Sequence, residues 1–240
     1  MVLKDRLDHL RGIVKTEKKV KVTELSQRFD VTEETIRRDL ERLELEGLIT
    51  RTHGGAVLKV ENMFDRLGYT HRSRTNVEEK KKIAQIVASI IPMQATLFAD
   101  ASSTVMEALT LMADRDDITV LTNSIPVLSS LNQSGLNIMS TGGANNRVSC
   151  SLQGIIARTT IMNYHVDFVL TSCKGLKLDE GAYDSREGET EIKQLMISRG
   201  QKTIMMADHT KFDRTSFVKY CSFQQIDILV TDRRPADEWM

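Results

Sequence analysis

Cysteine is scarce in this sequence, and its placement puts it to no evident use. Cys150, Cys173 and Cys221 are widely and irregularly spaced, with no CxxC. That excludes a disulfide framework and a zinc knuckle and fits a reducing cytosol. No apolar run approaches the length of a membrane span, and the start MVLKDRLDHL has no signal-peptide core, so the chain reads as cytoplasmic with no membrane partner. His9, His53, His71, His165 and His209 lie far apart without ligand spacing, and no metal is expected. Walker and GxGxxG motifs are both missing, which leaves a nucleotide site and any cofactor unsupported. There is no nucleophile elbow, short repeat or low-complexity tract. Net charge is absent too, with 33 Lys plus Arg against 33 Asp plus Glu. The charge is slightly polarised, since 19 of the basic and 15 of the acidic residues fall before residue 83. So mild an asymmetry does not establish nucleic-acid binding.

What remains is ordinary globular material: 240 residues, 40% hydrophobic and 28% charged, enough for a small domain plus a medium one. Its organising stretch is TEETIRRDLERLELEG, Thr32 to Gly47. Ile36, Leu40 and Leu43 make an apolar helical stripe, while Thr35, Arg38 and Arg42 project from nearly the opposite side. Thr32 suits the N-cap, Glu33 and Glu34 suit the positive end of the dipole, and Gly47 suits the stop. Alone this is as well explained by a solvated amphipathic helix, so its neighbours decide. Leu7, Leu10, Ile13 and Val14 predict a helix from Lys4 to about Glu17, and Thr23 is expected to cap a short helix ending at Phe29. With Asp30-Val31 as the turn, the three form a helix-turn-helix pattern. Leu48–Thr52 and Ala56–Leu58 around Gly54-Gly55 predict a hairpin, a wing bearing Arg51 and His53.

Periodicity lapses over Lys59–Asn76, read as a linker. It resumes at Val77 in a helix with an expected stripe of Ile83, Ile86, Val87 and Ile90, closed by Pro92. Candidate strands then alternate with candidate helices. The strands are Thr96–Asp100, Ile118–Asn123, Leu136–Thr141, Phe168–Cys173, Thr203–Asp208 and Ile226–Thr231. The helices are Ser103–Met112, Ile125–Leu131, Leu152–Asn163 and Glu189–Arg199. This order predicts an α/β layered domain with a mostly parallel sheet. The expected domains are 1–57, a winged helix-turn-helix; 58–76, a linker; and 77–240, an α/β domain. Met106, Met112, Met162, Met196 and Met205 read as core filler.

Polar residues gather where the strands finish, the place at which open α/β sheets bind ligands. Asp100 is followed by Ser102, Ser103 and Thr104, whose helix start would hold a phosphate or carboxylate or merely be capped. Thr122 precedes Asn123, and Gly142-Gly143 would serve close approach or a simple turn. Lys174 is followed by glycine and remains ambiguous. Asp208 with Lys211 would be an anion clamp, an acid/base pair or a surface ion pair.

The run TEETIRRDLERLELEGLITRTHGGAV resembles the DNA-binding signature of the DeoR family of bacterial transcription regulators. EKKKIA (Glu79–Ala84), DASST (Asp100–Thr104), TNS (Thr122–Ser124), Gly142–Gly143, DHTKF (Asp208–Phe212) and TD (Thr231–Asp232) resemble its sensor domain, in the family's order. The resemblance implies a non-enzymatic repressor of a sugar or polyol catabolic operon, released from its operator by a phosphorylated sugar. It implies a Rossmann-like sensor similar to ribose-5-phosphate isomerase and glucosamine-6-phosphate deaminase. Asp100, Ser102, Ser103, Thr104, Asn123, Gly142, Gly143, Lys174, Asp208 and Lys211 would line the effector pocket. Family members often carry glycine where Ala101 stands, so a methyl is expected to narrow the pocket or shift its ligand, and the end soon after Asp232 suggests a short or missing C-terminal element. On DNA, Thr35 and Arg38 would reach base edges, and Arg37, Arg42, Arg51 and His53 would hold phosphates. A homodimer or homotetramer would present paired helices. Two other readings stand beside this one: an isomerase or deaminase using Asp100, Asp208 and Lys211, and a protein-binding adaptor.

Overall fold

Leu10 and Val14 sit one turn apart with no exposed surface, and they define the inner face of α1 (Leu3–Glu17). The computed structural model describes residues 3–45, 49–58 and 68–240, and the chain divides into two units, Met1–Arg66 and Leu67–Met240. In the first unit α2 (Val22–Phe29) and α3 (Glu33–Leu45) follow α1. Ile36, Leu40 and Leu43 bury completely against Leu10, Val14, Val22 and Leu25. Thr32 caps α3, its hydroxyl accepting the Thr35 N–H at 3.3 Å, and Asp30 ends α2 with φ 51°. Thr23 lies inside α2 and does not cap it. The residue before α2 is Lys21, which closes a short strand, β1 (Lys19–Lys21), that the apolar pattern left unmarked. Gly47 and Leu48 lie outside the described residues.

β2 (Ile49–Thr52) and β3 (Gly55–Leu58) form the expected antiparallel hairpin. β1 joins the other side of β3, giving the order β1-β3-β2. The packing explains one of the two glycines: a Cβ at Gly55 would stand 2.0 Å from the Val20 carbonyl oxygen. A buried pair also ties the first helix to the third, Arg6 Nε meeting Asp39 Oδ2 at 2.6 Å with Asp39 nearly sealed from solvent.

In the second unit, short α4 (Tyr69–Ser73) and α5 (Val77–Ile90) precede a six-stranded parallel sheet. Its strands are β4 (Thr96–Ala99), β5 (Thr119–Thr122), β6 (Asn137–Ser140), β9 (Val166–Ser172), β12 (Gly200–Met206) and β14 (Ile228–Val230). They lie in the order β14-β12-β9-β4-β5-β6, the Rossmann arrangement in which chain direction across the sheet reverses between β4 and β9. Alternation along β4 splits the core. Leu97 and Ala99 face α5 (through Ile83 and Val87), α6 (Ser103–Leu111) and α7 (Ile125–Ser130). Phe98 faces α8 (Ile155–Met162) and α9 (Glu187–Ser198). The six expected strands and the intervening helices are all present. Between them lie a β7–β8 hairpin (Ala144–Asn146 and Ser151–Gln153) and an antiparallel sheet of β10 (Gly175–Lys177), β11 (Gly181–Asp184) and β13 (Val218–Cys221). Because Leu152 belongs to β8, the helix read from Leu152 begins only at Ile155.

Several expectations shift. Residues 59–67 of the linker lie outside the described residues, while Tyr69–Ser73 is helical and belongs to the second unit. Ile86 and Ile90 are 45% and 38% exposed, because the inner face of α5 runs through Lys80, Ile83, Ala84 and Val87. Met162 is exposed as well. At the C-terminal end a 3-10 turn, Asp237–Trp239, sets the Trp239 indole edge-on to Phe212 and Phe223, with ring centroids 4.7 and 5.7 Å away.

The reversal point is held by charge. Lys193 Nζ contacts Asp184 Oδ2 at 2.6 Å, the Ser172 carbonyl at 2.5 Å and Asp100 Oδ2 at 3.2 Å, and all three side chains are buried. Asp100 also accepts from Ser102 N–H, Thr171 Oγ1 and Ser172 N–H. Burial disfavours the Lys193 charge, but Asp100 and Asp184 outweigh it and raise its pKa. Burial likewise opposes the Asp184 charge, and Lys193 overrides it, holding that carboxyl below the usual range.

Two outcomes follow from this packing. Leu40→Ala should destabilise the first unit by about 2–5 kcal/mol, read as an earlier thermal transition for that unit alone. Because the folded-state pKa of Asp184 is depressed, its contribution to stability is present above the unfolded carboxylate value of about 3.9 and is lost as pH falls further. Acid unfolding followed by circular dichroism should therefore show the second unit intact at pH 5 and failing below pH 4 or so.

Candidate functional site

The first unit presents three arginines on the outer side of α3, interleaved with glutamates. Ile36, Leu40 and Leu43 take the inner side, so the residues between them point outward. Arg37, Arg38 and Arg42 are exposed and Thr35 is half-exposed. Arg37 pairs with Glu33 at 2.7 Å and Arg38 with Glu34 at 3.4 Å. Such solvated pairs are weak and leave both guanidinium groups exchangeable for phosphate or base edges. In the wing Arg51 and His53 are both exposed, and the Arg51 backbone is steadied by its N–H donating to Glu44 at 2.9 Å. All six residues read from the sequence as DNA contacts thus carry solvent-facing surface. The Arg6–Asp39 clamp escaped that reading, because nothing in sequence marks a charged pair 33 residues apart.

In the second unit every effector candidate lies at the carboxyl edge of the parallel sheet or in the turn beyond it. Asp100 stands at the reversal point, only 1% exposed, with its oxygens committed to the bonds described above. Ser102 caps α6, its hydroxyl accepting the Val105 N–H at 3.2 Å, and Ser103 and Thr104 are buried in the first turn. Lys174 is half-buried, and its charge acts on Asp184. One strand over, Asn123 is buried beyond β5 and donates Nδ2 to the Leu152 carbonyl at 3.2 Å. Gly142 and Gly143 have φ of 65° and 111°, and a Cβ on Gly143 would meet the Gln153 carbonyl oxygen at 2.4 Å. Here the glycines serve backbone conformation and a close approach to β8 together.

On the other side of the reversal point, Asp208 caps a 3-10 turn at His209–Lys211. Its Oδ1 accepts from Thr210 N–H at 2.9 Å, from the Thr210 hydroxyl and from Asn76 Nδ2 at 3.2 Å. Lys211 Nζ lies 3.6 Å from Oδ2. Burial opposes the Asp208 charge, but Lys211 and the Thr210 and Asn76 hydrogen bonds lower its pKa. Lys80 is buried close by and donates to the Thr75 carbonyl at 2.7 Å and to the Arg72 carbonyl. Burial first, and the Lys211 charge second, push its pKa down to about 8. Arg72 reaches the Ala101 carbonyl at 3.4 Å, and the Tyr69 N–H donates to the Val148 carbonyl at 2.9 Å. The Ala101 methyl is itself buried. The stretch from Tyr69 to Asn76 is therefore bonded to the loops after β4, β7 and β12.

Arg72, Asn76, Lys80, Asp184, Glu189 and Lys193 were not singled out from sequence. Lys80 lies inside EKKKIA, where three consecutive lysines hide which one turns inward. Glu189 and Lys193 are spaced i, i+4 on a helix, which reads as a surface ion pair. Glu189 instead accepts from Ser151 at 2.5 Å and from Gln153, and Lys193 goes to Asp100 and Asp184.

Comparison with known proteins follows this division into two units. Residues 6–62 match the family described as DeoR-like helix-turn-helix domain. Residues 75–233 match DeoR C terminal sensor domain. The HTH-type transcriptional regulator YulB of Bacillus subtilis is 37% identical over 97% of this chain and 90% of its own length. The HTH-type transcriptional repressor GlcR of the same organism is 33% identical over 98% and 90%. The L-fucose operon activator of Haemophilus influenzae is 32% identical over 91% and 88%. Among solved structures, a D-ribose-5-phosphate isomerase in complex with phospho-erythronic acid aligns over 57% of this chain and 54% of its own, at 14% identity and a TM-score of 0.43. With both units and nearly the full length of these relatives matched, the chain belongs to the DeoR family of DNA-binding transcription regulators.

Proposed function

We propose that this regulator is a repressor of a sugar or polyol catabolic operon, and that a phosphorylated sugar or polyol bound at the carboxyl edge of the sensor sheet releases it from DNA. The observation that carries this reading is the gathering of Lys80, Lys211 and Arg72 around the loops after β4 and β12. Around Lys80 the charges of Lys211 and Arg72 act against those of Asp208 and Glu107, so three cations meet two carboxylates and leave local positive charge that a phosphate would satisfy. The backbone N–H groups at the start of α6 point to the same edge. The relatives include a repressor and an operon activator; repression is the reading carried over from the family resemblance.

The same loops hold Tyr69–Asn76, the chain that leads out of the DNA-binding unit. An anion competing for Arg72, or drawing Lys80 away from its carbonyl partners, changes how that segment is held. Its effect on DNA affinity is set by its differential affinity for the two arrangements. On DNA, Arg38 and Thr35 read base edges, while Arg37, Arg42, Arg51 and His53 fix register on phosphates. Two protomers, as a dimer or within a tetramer, offer paired α3 helices to a repeated or palindromic operator. Against an enzymatic reading, the Asp100 oxygens are already engaged by framework donors, whereas proton transfer needs an accessible base.

Arg38→Ala should relax base preference at one position by about 1–3 kcal/mol. Arg51→Ala should weaken all sequences alike and reduce the salt slope. Gel shifts over a salt series on the DNA upstream of this gene separate the two, and equal loss everywhere for both variants sinks the division of roles. Lys211→Ala should keep DNA affinity and lose the response to sugar phosphate. An anion seated beside Lys80 raises its pKa again, so effector binding near pH 8 should take up protons. Titration calorimetry in buffers of different ionisation enthalpy measures that uptake.

A further inference from the structure

Resting on the effector-pocket reading above, we propose that the effector end remote from its phosphate is a hydrogen-bond donor, hydroxyl or ammonium, received by Asn123, and that ligands carrying a carboxylate there are excluded. Among the described residues Asn123 Oδ1 is the buried side-chain polar atom without a hydrogen-bond partner. A buried acceptor left unmade costs about 1–3 kcal/mol. The amide cannot be relieved by flipping. Its Nδ2 donates to the Leu152 carbonyl, and the reversed amide would set Oδ1 against that oxygen. The backbone is committed as well, the Asn123 carbonyl accepting the Leu152 N–H at 2.8 Å. The orphan acceptor is thus fixed in orientation, at a strand end next to the reversal point, and an incoming donor is what completes it.

The charges nearby point the same way. β8 lies between Asn123 and α9: Leu152 bonds to Asn123, while Ser151 and Gln153 turn their side chains to the Glu189 carboxylate. Asp184 and Asp100 share one buried ammonium, Lys193, while the buried Glu189 carboxylate is bonded to Ser151 and Gln153 and acts on Lys193 only from further off. Around the loops after β4 and β12, Lys80, Lys211 and Arg72 outnumber Asp208 and Glu107. β5 and β12 stand three strands apart, about 14 Å at a strand spacing of ~4.8 Å. The unmatched Asn123 acceptor and the Glu189 carboxylate behind β8 thus lie on the β5 side, while Lys80 and Lys211 gather by Asp208 after β12. An extended ligand with phosphate at one end and hydroxyl or amine at the other matches that arrangement, and an aldonic acid phosphate opposes it.

The test uses the full-length protein and calorimetric titration with inorganic phosphate and with the aldose, polyol, amino-sugar and aldonate forms of pentose and hexose phosphates. The best probe is expected among the first three forms, and its aldonate is expected to bind at least about tenfold more weakly, the equivalent of ~1.4 kcal/mol. Asn123→Leu should lose roughly tenfold for the best probe yet bind inorganic phosphate unchanged, while Asn123→Asp, which keeps an acceptor, should retain an ammonium-bearing probe. An aldonate that binds as well as its sugar overturns the inference on wild-type protein, whether or not the variants fold. So does a folded Asn123→Leu that binds the best probe undiminished, or phosphate binding that no sugar improves. If neither phosphate nor any phosphorylated probe binds, the pocket reading itself fails and this inference with it.

Discussion

A single buried ammonium sets the geometry of the sensor. Lys193 reaches from α9 to Asp100 beyond β4, to the Ser172 carbonyl at the end of β9, and to Asp184 in the antiparallel sheet. An unpaired charge at that depth is costly, whereas a paired one with its remaining protons satisfied persists. The bond set therefore has to form as a unit. It pins the two strands between which chain direction reverses, and that pinning aligns the loops that carry the effector candidates. Asp100, the most conspicuous acid of the DASST run, is spent on this framework.

The two ends of the sheet edge are prepared differently. Toward β12, cations are brought near Asp208 by side chains from α4, α5 and the turn after β12. Burial keeps one of them, Lys80, easy to deprotonate. Toward β5, acceptors gather around β8 with one amide oxygen unmatched. If the effector binds along this edge, as proposed, its two ends meet opposite needs, and chemical class selects it before shape enters. The segment Tyr69–Asn76, which follows the DNA-binding unit in sequence, is bonded to the loops after β4, β7 and β12, the same loops that carry the proposed effector residues.

The DNA-binding unit follows another logic. The residues proposed to contact DNA are exposed, and two of them, Arg37 and Arg38, are held by weak acidic partners on the same helix, Glu33 and Glu34. Its precision comes from beneath, from the sealed Ile36–Leu40–Leu43 stripe and the Arg6–Asp39 clamp. Exchange of partners at the surface costs little, while displacement of the frame costs several kcal/mol.

Local pattern by itself determined the three helices, the hairpin and all six parallel strands, because each rests on a short period of apolar residues that needs no distant partner. It also placed the polar strand ends, since loops must carry groups that satisfy their own backbone. Where the period is short or broken it failed. β1 has three residues and gains its pairing only from β3, far along the chain, β10 and β11 are too short for a visible period although they pair as a local hairpin, and Ile86 and Ile90 look like core until α5 turns Lys80 inward instead. Tertiary structure alone decided which of three consecutive lysines is buried, and that Glu189 and Lys193 part company for Ser151 and Asp100. It alone left the Asn123 carboxamide oxygen without a partner. Burial and charge pairing depend on which elements meet across the sheet, and no spacing along the chain encodes that.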